Sequence, residues 1–196
     1  MYVVSRSYMH RPGGNRITMC TVGEDYLGEF GRGFSKVGEL EAVVDGALVW
    51  PTAIALDQEG NVYLADEWLN RVSAFAKDGE WIGKWGIPGS GDGEIDRPSG
   101  IAFDSEDNLY LVDSRNNRVQ KFTKDGKFLA KWGRAGSGDG EFNLPWGIEI
   151  DHNDHVYVAD WSNDRIQKFS PDGQFLMKFG ATGAGEGSSA APPWWP

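Results

Sequence analysis

Between residues 147 and 179 the apolar positions come in four short runs, at 147–150, 156–159, 165–169 and 175–179. Runs of four or five residues bounded by turn formers read as β-strands. Polar residues 151–154 separate the first two, and Pro171-Asp172-Gly173 separates the last two. Asp78-Gly79 and Asp125-Gly126 stand at the same place in earlier stretches. Asp-Gly between apolar runs marks a hairpin, because glycine supplies the positive φ the turn needs. The pattern predicts an antiparallel meander of four strands, called A to D here. A helical fold would need apolar runs of ten or more at a 3.6-residue period, and none is present.

This unit recurs. Residues 87–133 and 134–180 align without a gap at a period of 47, and residues 51–86 follow the same pattern. Asp66, Asp113 and Asp160 mark the phase. A period of this size signals a solenoid, propeller or array, and four short strands per period select the blade of a β-propeller. The predicted class is therefore all-β. In strand C, Val119 and Phe122 fall on opposite faces, as a blade packed between two neighbours requires. Cys20 occupies the slot of Phe75, Phe122 and Phe169, which predicts core packing for it.

The ends fall inside blades. Residues 2–5 match strand B, Asn15-Arg16-Ile17 opens strand C, and residues 26–31 form strand D. Residues 183–187 repeat the loop at 136–140, and Pro192 falls where Pro98 and Pro145 predict. Pro193-Trp194-Trp195-Pro196 then occupies the place of a strand A, where prolines are not expected to sustain a ladder. The expected organisation is a propeller segment over 1–182, with a partial blade at 1–31 and full blades at 32–86, 87–133 and 134–180. Residues 183–196 are expected to be a Gly/Pro/Trp tail. The total is fifteen strands, and the missing sheet is expected to come from another chain or from further sequence.

Composition narrows the function classes. The 196 residues include 27 Gly, 9 Trp and 10 Phe, which suits tight turns and large core side chains. The formal net charge of −10 disfavours a phosphate-neutralising surface, so nucleic acid is not an expected partner. A single cysteine excludes an intrachain disulfide. No apolar run reaches the ~18 residues of a membrane span. No signal peptide is legible before Tyr2-Val3-Val4, and a cytoplasmic location is the default expectation.

The strings PTAIALDQEGNVYLADEWLNRV, RPSGIAFDSEDNLYLVDSRNNRVQKF and LPWGIEIDHNDHVYVADWSNDRIQKF closely resemble NHL repeats. The resemblance implies a closed propeller, usually of six blades, whereas 196 residues at 47 per blade fall short of six. It also implies ligand binding on the face lined by the D–A connections and B–C loops. Members include RNA-binding, protein-binding and extracellular sensor domains, and the peptidyl-hydroxyglycine amidating lyases are related. Those lyases hold zinc through several histidines. Here His10 stands alone, and His152 and His155 lie in an A–B turn on the opposite face, so no metal site, cofactor or catalytic residue is expected.

On the expected binding face lie Trp50, Trp68, Arg115, Trp146 and Trp161. Asp66/Arg71, Asp113/Arg118 and Asp160/Arg165 share one spacing. They read either as a ring of charges for a polar ligand or as cross-strand pairs that fix the turn. Residues that break the repeat are the better candidates. The first B–C loop is six residues longer than its equivalents and carries Arg6, Tyr8, His10 and Arg11, and the D–A loop before Trp50 is eight residues longer. The Gly-Asp-Gly-Glu stretches lack the ligand spacing of a calcium loop and are expected to be flexible connectors. The resulting reading is a non-catalytic scaffold for a protein, peptide or small polar ligand, self-associating as a homo-oligomer that completes the ring. The alternative is a fragment of a metal-dependent propeller enzyme, lyase-like or lactonase-like, with its ligands on missing blades.

Overall fold

The structure, a computed structural model, describes residues 1–5, 16–33 apart from 22 and 24, and 45–180. Strands β1 (Tyr2–Ser5), β2 (Arg16–Cys20) and β3 (Tyr26–Phe30) form a three-stranded antiparallel sheet. A short parallel pair follows, β4 (Arg32–Gly33) with β5 (Ala47–Leu48). The first four-stranded sheet contains β6 (Pro51–Leu56), β7 (Val62–Asp66), β8 (Arg71–Phe75) and β9 (Trp81–Trp85). A second short pair, β10 (Ile87–Pro88) with β11 (Glu94–Ile95), precedes the next sheet: β12 (Pro98–Phe103), β13 (Asn108–Asp113), β14 (Arg118–Thr123) and β15 (Phe128–Trp132). The last sheet is β16 (Pro145–Ile150), β17 (Val156–Asp160), β18 (Arg165–Phe169) and β19 (Phe175–Phe179). Each large sheet is a meander in sequence order, as the repeat predicts.

Strand A begins two residues before its predicted start. Pro51, Pro98 and Pro145 open it, paired with Asp66, Asp113 and Asp160, and a register shift follows each. These prolines stand at the repeat position of Pro192, one residue before the Pro193–Pro196 stretch to which the expectation applies. At the first residue of a strand proline forfeits one N–H and keeps its carbonyl. Pro192 and its neighbours lie outside the described residues.

Three apolar cores fill the gaps between successive sheets. Ile17 packs with Leu48, Val62, Leu64 and Phe75. Tyr63, Ala65 and Val72 meet Ile95, Leu109, Leu111 and Phe122. Tyr110, Val112 and Val119 meet Phe142, Val156, Val158 and Phe169. Phe122 and Val119 thus serve different cores, as their opposite faces predict. Cys20 does occupy the Phe122 position, since Cys20 pairs with Tyr26 as Phe122 pairs with Phe128, but it is only half-buried. No described blade lies on its outer side.

The glycine of each C–D turn has a second role. Gly126 has φ +85°, and a Cβ there would lie 2.4 Å from Cγ of Trp85 on the preceding blade. The Trp85 indole donates to Lys124 O at 3.1 Å. The turn is therefore a socket for the neighbouring blade's tryptophan, which a hairpin signal alone does not reveal.

Candidate functional site

The repeated Asp and Arg build a buried clasp. Arg118 Nε donates to Asp113 Oδ2 at 2.7 Å, and the two side chains are 7% and 0% exposed. Arg118 Nη1 donates to Ser90 O and its Nη2 to Gly91 O and Glu94 O, each at 2.8 Å. Gln120 adds a donor to Glu94 O and accepts from Gly93 N. Asp113 Oδ1 accepts the Asp96 N–H at 2.7 Å. Arg165, Asp160 and Gln167 repeat the pattern on Ser137, Gly138, Gly140, Glu141 and Asn143. The Gly-Asp-Gly-Glu stretches are accordingly ordered. Glu94 and Glu141 also accept from Gly91 N and Gly138 N, and Asp92 pairs with Lys131. The expected flexible connectors are corrected, because partners 24 to 28 residues away saturate their carbonyls.

Burial pushes the Asp113 carboxyl above its ordinary range, against the Asp96 N–H, Asn116 and Arg118, which favour its charge. Asp66 is raised in the same way. Arg71 makes a thinner clasp. It donates to Ala47 O at 2.8 Å, its Nε finds no partner among the described residues, and burial lowers its pKa. With their donors turned inward, Arg118 and Arg165 hold the connections in place.

A groove of about 330 Å³ opens on the same face, lined by Glu67, Arg97, Ser114, Arg115, Leu144, Trp146 and Trp161. The structure thus brings together three nominated residues, Arg115, Trp146 and Trp161. Trp161 opens a one-turn 3-10 helix (Trp161–Asn163) and is 63% exposed; Trp146 stands in β16 and is 43% exposed. Arg97 and Arg115 are 52% and 60% exposed, facing Glu67 at 3.7 Å and Asp96 at 4.0 Å. These separations exceed hydrogen-bond length. Neither guanidinium and neither indole N–H makes a hydrogen bond among the described residues, whereas Arg118 makes four.

Local backbone geometry presents these side chains. Arg97 and Leu144 have φ of +55° and +49°, just before Pro98 and Pro145. Such a conformation is uncommon for residues with a Cβ. It is held by Asn70 Oδ1 accepting Arg97 N at 2.7 Å and Asn117 Oδ1 accepting Leu144 N at 2.8 Å. Ser114 Oγ donates to Pro145 O and ties one blade's B–C turn to the next blade's strand A.

Trp68 is exposed on a B–C turn and Trp50 is half-buried beside Asp66, and neither lines the groove. Arg6, Tyr8, His10 and Arg11 lie outside the described residues. His155 Nδ1 sits 3.2 Å from Asp151 Oδ2, and His152 Nε2 lies 3.0 Å from Asn153. Among the described residues no three His, Cys, Asp or Glu side chains are grouped to hold a metal. Glu67, Arg97, Ser114 and Leu144 fall in the D–A and B–C loops that the sequence places on the binding face, but they were not among the candidate ligand-binding residues. Their signal was a mismatch between copies: Glu67, Ser114 and Trp161 share one repeat position, as do Trp50, Arg97 and Leu144.

A family model described as a 6-bladed beta-propeller (DUF5128) matches residues 95–179. No curated protein matches the sequence significantly. Among solved structures, a streptogramin B lyase is similar at TM-score 0.59 and 13% identity, over 84% of this chain and 47% of its own. A catalytically inactive virginiamycin B lyase from Staphylococcus aureus with quinupristin gives 0.58 and 16%, over 84% and 48%. A gluconolactonase from Xanthomonas campestris gives 0.57 and 17%, over 82% and 53%. The fold is a β-propeller. The chain spans about half the length of these structures. At these identities the likeness is one of fold.

Proposed function

We propose that this propeller segment is a non-catalytic binding scaffold, and that the groove between Arg97, Arg115, Trp146 and Trp161 takes a peptide or small polar ligand. One observation carries the reading. In the last two blades the shared Arg, Asp and Gln have their hydrogen-bonding groups engaged in the clasp, while the groove is lined where blades differ and where donors make no hydrogen bond among the described residues. A ring of equivalent blades produces a specific site only where its symmetry is broken, and concave sites with a few convergent polar groups are the common form of ligand pocket. A thermal-shift screen of the wild type against Arg115→Ala/Trp161→Ala tests this. Ligands that raise the wild-type midpoint should lose their effect on the variant. Hits unaffected by the double substitution would place the site elsewhere.

Self-association is the second part of the proposal. Tyr157, Ala159, Ile166 and Phe179 repeat the positions of Tyr110, Val112, Val119 and Trp132, which face the next blade. No described blade packs against this set, and Ile166 and Phe179 are 36% and 45% exposed. On the first sheet Tyr26 and Cys20 stand at the Phe128 and Phe122 positions, which face a preceding blade. The two outer faces are therefore the two halves of one blade-to-blade interface, and a second copy is the occupant that matches both. The enzyme-fragment reading keeps its own test: stoichiometric zinc or calcium in purified protein would favour it.

A further inference from the structure

We infer that the groove selects a ring with a stacking face, aromatic or sugar, carrying a single carboxylate, an inference that rests on the groove being the binding site. Its polar lining is almost wholly donor: two guanidinium groups and two indole N–H groups, none hydrogen-bonded among the described residues. Glu67 in the lining faces Arg97 across 3.7 Å, and Asp96, outside the lining, faces Arg115 across 4.0 Å. Each guanidinium already addresses a carboxylate without closing a hydrogen bond on it. A ligand carboxylate that does close the two-pronged bond exchanges a loose ion pair for a charge-assisted one.

The apolar part of the lining sets the rest of the ligand. Trp146, Trp161 and Leu144 are all exposed, and indole faces stack on aromatic rings or on the C–H face of a sugar. The volume of about 330 Å³ suits a ligand of one or two rings. Charge limits the anion. Two arginines stand against Glu67 and Asp96, and the whole chain carries −10, so a multiply charged phosphate meets repulsion that one carboxylate does not.

The experiment uses the full chain with tryptophan ¹⁵N-labelled at its indoles. Nine tryptophans give nine indole N–H signals, and Trp146→Phe and Trp161→Phe assign the two of interest. The probes are indole-3-acetate and galacturonate, their neutral partners indole-3-acetamide and galactose, and uridine 5′-monophosphate. The carboxylates should shift both groove signals at concentrations about tenfold or more below their neutral partners, as a charge-assisted bond implies. Arg115→Ala should remove that preference while the other indole signals keep their positions. Tighter indole-3-acetate assigns an aromatic acid and tighter galacturonate a sugar acid, and either supports the inference. Neutral probes binding as well as the acids, or the nucleotide binding tightest, would overturn the carboxylate assignment and leave the groove as the site. If no probe moves either signal, the groove reading itself falls.

Discussion

Arg115 and Arg118 lie three residues apart on one hairpin, yet their surroundings separate them. Arg118 is buried with Asp113 and donates to three carbonyls of the preceding connection, while Arg115 stands in solvent 4.0 Å from Asp96. Removing one partner of a buried ion pair leaves an uncompensated charge. Arg118→Ala should therefore cost roughly 3 kcal/mol or more in urea unfolding, and Arg115→Ala should stay within about 0.5 kcal/mol. Equal losses would mean that the clasp is not structural. Asp104 gives a pH test. Burial works to raise its pKa, but the Lys121 ammonium at 2.8 Å and bonds from Asn108 outweigh it and hold the carboxyl below its ordinary value. A depressed carboxylate stabilises the fold above its unfolded pKa of about 4 and loses that contribution as pH falls through the folded value. Asn in its place keeps the turn's oxygen acceptor and removes the charge. The stability gap between wild type and Asp104→Asn should be full near neutral pH and shrink below about pH 4. A gap unchanged down to about pH 2 would contradict the pairing.

At the scale of elements, strands and hairpins were legible because their signals are local. Alternation and Asp-Gly turns placed strands B, C and D to within a residue in the last blade. Strand A was read too short because proline before a bulge hides a strand's first residue. The Asp–Arg pair of the clasp was legible as a cross-strand pair, but its grip on the connection was not, since Gly-Ser-Gly-Asp-Gly has the composition of a flexible linker and its partners lie on another hairpin. The groove was half legible. Loop position put Arg115, Trp146 and Trp161 on the binding face, but nothing local reveals which loop residues, Glu67 and Arg97 among them, converge into one groove. The C–D turns yield a prediction of their own. Gly126→Ala meets both a positive φ and the Trp85 ring, whereas Gly140→Ala has φ +76° and nothing within 4 Å of the added carbon. Backbone strain alone should cost about 1 kcal/mol at Gly140, and the added clash should bring Gly126→Ala to roughly 2–4 kcal/mol. Equal midpoints in denaturant would show that the turn is no socket.

For the whole molecule, shared positions build the blades and divergent positions build the groove. Heterologous contact between the Ile166–Phe179 face and the Tyr26–Cys20 face predicts association in solution. Sedimentation equilibrium at micromolar concentration should give a multiple of the 21.6 kDa chain mass, and Ile166→Asp should return it to one. A single-chain mass for the wild type would remove the second-copy proposal without touching the groove. The groove is tested most directly by calorimetric titration of the strongest ligand from the screen against three proteins: wild type, Arg115→Ala/Trp161→Ala, and Lys124→Ala near the A–B turns of the opposite face. The account predicts that binding heat disappears in the groove variant and survives in Lys124→Ala. Heat that persists in the groove variant, or that vanishes with Lys124, would contradict it.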